Sequence, residues 1–261
     1  MVQRELRGTA EGAKPAWDLA QWSSRHSVLK EPVRLSDGSL RYANPAKEVV
    51  IGAAGGDRRN LTLCVKGSAE YGSRARRQGE PWVHLLVEQS ISRQPSIAEL
   101  QRLVLRIEVR LLHSQLHRTH DYTPDLHAAQ FQLFLTVQNR NRDSTGFCKF
   151  LWFGVPFYDD RYRDPPGHVA QDTAGSDMFI YAPPAREFFA GSTHDRGWIR
   201  IDQDLVPLIR KALPSAWQAG YLRESRELAD YRITSVNLGW EVPGVFDVGM
   251  QTRGLSLRAV T

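Results

Sequence analysis

With 261 residues, 41% of them hydrophobic, and seven tryptophans, the chain can bury an ample core as one domain, and no run of about 18 apolar residues marks a membrane-spanning helix. The net charge of +5 does not point to nucleic acid, because 34 basic residues are set against 29 acidic ones along the whole chain, and the one dense cluster, Arg74, Arg76 and Arg77, reads as a solvated loop. The two cysteines, Cys64 and Cys148, have no CxxC or Cys/His spacing and read as buried free thiols, so neither a metal centre nor a cofactor motif is expected from them.

In chain order, the first 22 residues lack the apolar run of a secretory signal, so the expectation is a cytoplasmic protein or one already trimmed of its leader. Trp17, Leu19 and Trp22 lie in a stretch that reads as helix-like or irregular. Asp37-Gly38 and Asn44-Pro45 punctuate short strand candidates at 33–35 and 48–52. The glycines of 52–56 lack the lysine and hydroxyl ending of a phosphate loop and read as a hairpin loop, followed by a strand at 61–67.

The centre of the chain alternates strictly, as strands must when successive side chains point to opposite faces of a sheet. In 82–91, Val83, Leu85, Val87 and Ile91 oppose Trp82, His84, Leu86 and Glu88. In 103–112, five aliphatic residues oppose Arg106, Glu108 and Arg110. In 129–139, Phe131, Leu133, Leu135 and Val137 oppose Gln130, Gln132, Phe134, Thr136 and Gln138. The histidines between them (His113, His117, His120, His127) have spacings that would share a helix face and could bind zinc, but the segment reads as strand end and loop, and Thr123-Pro124 breaks any helix.

Residues 147–156 are apolar on both faces and read as a central strand. It opens at Pro156 into a loop in which Asp159 and Asp160, beside Arg161, do not make a calcium site. Another strand candidate covers 177–184. Trp198–Ile201 read as extended, and from Asp204, a plausible N-cap, Leu205, Leu208, Ile209 and Leu213 recur at helical spacing with Pro207 in the first turn. A second helical stretch is expected around Tyr221–Leu228. Residues 232–253 read as a hairpin about Pro243-Gly244, with Asn237, Glu241, Asp247 and Gln251 on its polar side and Trp240 on its apolar parity.

These elements predict an all-β fold: an antiparallel β-sandwich of jelly-roll type with two or three short helices. The expected organisation is one domain over 1–261, with an N-terminal arm and edge strands in 1–47 and the sandwich body in 48–261. Long alternating strands with a polar, aromatic-edged face resemble, as a pattern over residues 48–260, the concanavalin-like and galactose-binding-like carbohydrate-active jelly rolls. That resemblance implies a carbohydrate partner bound on a curved sheet. The compact Glu-x-Asp-x-x-Glu signature of the retaining β-glucanases is absent.

Planar side chains with donors and acceptors in a row suit a polyhydroxylated ligand, and an aromatic ring suits the C–H face of a pyranose. The candidate ligand-binding residues are therefore Trp82, His84, Arg106, Arg110, Gln130, Gln132, Asn237 and Asp247. Glycoside cleavage needs two carboxyl groups about 5 to 5.5 Å apart for a nucleophilic route or about 6.5 to 9.5 Å apart when a water intervenes. Glu88, Glu108 and Glu241 are the candidates, on the expectation that their strands share one polar face. Three readings stay open: a carbohydrate-binding protein, a glycoside hydrolase or polysaccharide lyase, and a protein-interaction sandwich whose polar face is merely solvated.

Overall fold

The structure is a computed structural model that describes residues 3–6, 17–52, 60–92, 95–173 and 175–261; the expected loop over 52–56 lies almost wholly outside them. In chain order the strands are β1 (Gln3–Leu6), β2 (Trp17–Ala20), β3 (Val33–Arg34), β4 (Leu40–Ala43), β5 (Lys47–Ile51) and β6 (Leu61–Lys66). After helix α1 (Gly67–Tyr71) come β7 (Val83–Ser90), β8 (Arg102–Leu116), β9 (Gln130–Asn139), β10 (Phe150–Asp159), β11 (His168–Gln171) and β12 (Phe179–Ala182). The chain ends with β13 (Ile199–Asp204), helix α2 (Val206–Gln218), β14 (Tyr231–Val242) and β15 (Phe246–Val260).

Among the described residues these strands form two sheets packed face to face, a β-sandwich of jelly-roll type. One has eight strands in the order β1-β2-β7-β14-β9-β10-β12-β11, the other seven in the order β13-β8-β15-β6-β5-β4-β3. Every pairing is antiparallel except β10 with β12. The aliphatic parity of each long strand points inward: Leu85, Val87, Leu133, Leu135, Phe153 and Leu238 from the first sheet meet Leu63, Leu105, Ile107, Val109 and Met250 from the second, all buried. Helix α2 presents Val206, Leu208, Ile209, Ala212, Leu213 and Ala216, an i, i+3, i+4 stripe, and packs against β10 and β12.

Trp240 joins the two layers. It is fully buried on β14, and its indole N–H donates to the Leu63 carbonyl of β6 in the opposite sheet at 2.9 Å. Phe131 and Tyr158 pack edge-on against its ring. A second buried tie lies at the sandwich margin. There the Lys47 ammonium pairs with Glu70, whose carboxylate also accepts from the Arg25 N–H, and both side chains are wholly removed from solvent.

Four local expectations change. Trp17–Ala20 is strand β2, docked on β7, because a short run with Trp17, Leu19 and Ala20 buried fits a sheet edge as readily as a helix. Residues 221–228 form no α-helix, only a 3-10 turn at Leu228–Asp230, since Leu222 sits at φ 52, the left-handed region that ends a right-handed helix. The N-cap of α2 is Leu205, not Asp204, although the Asp204 carboxylate does accept from the Val206 N–H at 3.2 Å.

The fourth change is the largest: β14 and β15 are not a hairpin. β14 pairs with β7 and β9, while β15 pairs with β6 and β8. Pro243–Val245 is thus a corner that carries the chain from one sheet to the other. Alternation reports which face a side chain takes, and it is silent on which strand lies alongside.

Trp240→Phe removes the indole N–H that reaches Leu63 and leaves a small void, so it should cost about 2 to 3 kcal/mol; urea denaturation followed by tryptophan fluorescence measures this loss.

Candidate functional site

The middle of the eight-stranded sheet sets its outward side chains in rows fixed by register. The first row reads His84 (β7), Glu241 (β14), Gln130 (β9) and Asp159 (β10). The second reads Leu86, Gly239, Gln132 and Pro156. The third reads Glu88, Asn237, Phe134 and Gly154, with Asp18 of β2 beyond Glu88. The fourth reads Ser90, Ser235, Thr136 and Trp152. From the first row to the fourth is six residues along β14, about 20 Å at strand rise. Gly239 has no room for a side chain, since an added Cβ would meet the β7 backbone at Leu85 and Leu86.

Glu241 is the focus of the first row. Its carboxylate accepts from the Trp82 indole N–H at 3.2 Å and the Gln132 amide at 3.4 Å, and the His84 Nε2 lies 3.9 Å away. The carbonyl of Trp82 accepts at 2.8 Å from His84 Nδ1, which fixes the imidazole hydrogen there and aims Nε2 at Glu241. His84 is itself held between rings, stacked on Trp82 at 5.7 Å and edge-on to Trp22 at 5.5 Å. Arg76 covers Trp82, its guanidinium 5.1 Å from the ring and donating to the carbonyls of Glu80 and Leu126. Of the arginine cluster expected to be solvated, Arg77 is exposed and Arg74 partly so, but Arg76 is buried and supports the site from behind.

Aromatic rings also border the far end, where Phe134 and Phe150 pack edge-on against Trp152. Between the two ends Asn237 is buried, and its side-chain oxygen has no hydrogen-bond partner among the described residues.

Asp159 and Asp160 part company at the end of β10. Register slips between Pro156 and Tyr158, a bulge that turns Tyr158 inward against Trp240 and Asp159 outward into the row of Glu241. Asp159 is buried; it accepts from Gln130 at 2.7 Å and from Arg161 at 2.7 and 2.9 Å. Tyr158 and Asp159, expected within a hydrated loop, are therefore the end of a strand, and the exposed turn begins only at Asp160–Arg161. Strict alternation from Phe153 would point Asp159 into the core, which is why sequence parity missed it.

The single polar face expected across three strands divides in two. Glu88, His84, Gln130, Gln132, Asn237 and Glu241 belong to the eight-stranded sheet, and Trp82 immediately precedes its strand β7. Arg106, Glu108 and Arg110 lie on β8, in the other sheet. There Glu108 pairs with Arg253, Arg106 donates to Asp202 at 3.1 Å, and Arg110 donates to Gln251 at 2.7 Å while lying over Trp198. Asp247 stands on β15 and accepts from the Ser68 N–H and hydroxyl at 3.0 and 2.9 Å, with His117 at 3.0 Å. Glu88 is on the strand next to Glu241 but four residues along it, about 13 Å by strand rise.

Among the described residues no three His, Cys, Asp or Glu side chains gather to hold a metal ion. His127 is buried, taking the Thr123 N–H on Nδ1 and donating from Nε2 to the Arg76 carbonyl at 2.7 Å. Both cysteines are free, but neither is fully buried as expected: Cys64 is half-buried and Cys148 exposed.

No protein-family model matches the sequence, and no curated protein matches it either. Solved structures do. The endoglucanase Cel12A of Rhodothermus marinus aligns at a TM-score of 0.47 and 10% identity over 93% of this chain and 99% of that one. A family 12 xyloglucanase of Bacillus licheniformis aligns at 0.48 and 7% identity over 92% and 100%. The xyloglucanase domain of NopAA from Sinorhizobium fredii, solved with cellobiose, aligns at 0.46 and 8% identity over 90% and 100%. These neighbours are glycoside hydrolases.

Burial pushes the Asp160 carboxyl up to about 6, against the Ala129 N–H that it accepts at 2.6 Å. A carboxyl raised on folding binds protons more tightly in the native state, so it favours folding at low pH and that contribution is lost as pH rises from about 4 to about 6. Asp160→Asn keeps the acceptor for Ala129 without the charge. It should therefore be more stable than the parent above pH 6, by about 1 to 2 kcal/mol, with the gap closing by pH 4; urea titrations at the two pH values check the sign.

Proposed function

We propose that the outward face of the eight-stranded sheet binds an oligosaccharide along the rows from Glu241 to Trp152. The observation that supports it is the composition of that strip: amides Gln130, Gln132 and Asn237 and carboxylates Glu88 and Glu241 between two aromatic borders. Sugar hydroxyls need planar donor and acceptor groups, and pyranose faces need rings.

Binding is favoured over nucleophilic cleavage by what lies directly across from Glu241. Residues opposed on adjacent antiparallel strands have Cβ atoms about 4.5 to 5.5 Å apart, the distance a nucleophile and its acid partner would need. Glu241 has His84 on one side and Gln130 on the other, and neither is a carboxylate. A glycan array should show saturable binding to at least one oligosaccharide class, weakened about tenfold or more in Trp82→Ala and Glu241→Gln. An array with no binder would remove the proposal.

One observation favours hydrolysis as a second reading. Asp159 stands in Glu241's row two strands away, about 10 Å between backbones, which suits a pair with a water between them, Glu241 as acid and Asp159 as base. Against it, Arg161 and Gln130 already occupy Asp159. Incubation with polysaccharides and assay for new reducing or unsaturated ends separates the readings. Turnover that disappears in both Glu241→Gln and Asp159→Asn supports the hydrolase; turnover unchanged in both excludes these residues from it.

A further inference from the structure

The outward face of the seven-stranded sheet concentrates arginine that neither the core nor the Glu241 rows use. On three adjacent strands its outward positions hold Arg200 (β13), Arg102, Arg106 and Arg110 (β8), and Arg253 and Arg258 (β15). From Arg110 to Arg102 is eight residues, about 27 Å at strand rise. The same stretch carries three carboxylates, Glu108, Asp202 and Asp204.

Each carboxylate is committed to one arginine. Glu108 pairs with Arg253, Asp202 accepts from Arg106 at 3.1 Å, and Asp204 lies 3.6 Å from Arg102. Arg110, Arg200 and Arg258 are left over. Arg110 donates at 2.7 Å to a neutral group, the amide oxygen of Gln251. Arg200, its side chain 73% exposed, lies 3.8 Å from the Asp202 that Arg106 already holds. Arg258 is exposed and has no ion-pair or hydrogen-bond partner among the described residues.

These three stand on three different strands, with Arg110 and Arg258 six residues apart in register, about 20 Å. No small anion reaches them all, so the complementary partner is extended and carries negative charge at intervals. The carboxylates standing between the arginines oppose a densely charged chain such as duplex DNA, with a charge about every 1.7 Å, and a broad sheet face does not enter a groove. A chain of sugar acids spaces its carboxylates by whole rings. Trp198, partly exposed beside Arg110 and Arg253, offers such a ring an aromatic edge. We propose that this face binds an anionic polysaccharide of the polyuronate class, whose carboxylates pair with Arg110, Arg200 and Arg258. It belongs to the other sheet from Glu241, so it stands or falls independently of oligosaccharide binding there.

The test is biolayer interferometry of the intact protein on immobilised polygalacturonate, compared with its methyl ester, which keeps the sugar chain and lacks the charge, and with double-stranded DNA. Saturable binding to polygalacturonate is expected at low ionic strength, weakening as salt is raised. The ester should bind about tenfold or more weaker. Joint Arg200→Gln and Arg258→Gln substitution removes two of the three left-over charges and should weaken binding about fivefold or more. Should that double variant fail to fold in a thermal scan, Arg258→Gln alone is expected to lose about twofold or more. Absence of binding to polygalacturonate overturns the inference. So does equal or tighter binding to the ester or to DNA, or unchanged affinity in the folded variants.

Discussion

The placement of Trp240 is the constraint on which the rest of the molecule depends. A strand must send neighbouring side chains to opposite faces, so burying the indole between the sheets, with its N–H on the Leu63 carbonyl, forces Glu241 onto the outer face. A one-residue slip of β14 would bury a carboxylate and expose a tryptophan, exchanging a satisfied core for an unpaired charge. Because β14 lies between β7 and β9, the same registration brings His84 and Gln130 to the two sides of Glu241. The site is a by-product of the core.

The two outward faces of the sandwich use charge differently. On the seven-stranded sheet Arg106 meets Asp202 and Arg253 meets Glu108, and Trp198 has the guanidinium groups of Arg110 and Arg253 over it at 4.7 and 4.1 Å. These are exposed cross-strand pairs whose individual contribution to stability is small. On the eight-stranded sheet the carboxylates Asp18, Glu88, Asp159 and Glu241 are interleaved with the amides Gln130, Gln132 and Asn237. Glu241 has an indole and an amide as donors where a surface carboxylate would have water. A face built of partly buried, directional hydrogen-bonding groups holds one geometry, and that suits recognition better than a mobile ladder of ion pairs.

Support for the first row comes from residues that a pattern search passes over. Arg76 looks like part of a basic loop, yet it is folded under Trp82 by two backbone carbonyls, and its own carbonyl orients His127. Asp159 looks like a loop acid, yet a bulge in β10 brings it into line with Glu241. Both depend on segments distant in sequence, Arg76 on the Leu126 carbonyl about 50 residues on and Asp159 on a row shared with Glu241 about 80 residues on, and no local period reports such placement.

How much was legible follows from the same distinction. Alternation alone placed the inner residues of β7, β8, β9 and β14, including Trp240, and the polar parity of Trp82, His84, Gln130, Gln132, Asn237 and Glu241, because the period of two is a property of the pleated backbone itself. It also indicated a sandwich, since each one-sided sheet needs a second layer over its apolar face. What it could not supply was adjacency. Glu108 shares the pattern of Glu88 and Glu241 but belongs to the other sheet, and the corner at Pro243–Val245 has the sequence of a hairpin turn. Which strands lie side by side is decided by packing between distant segments, and only the tertiary structure expresses it.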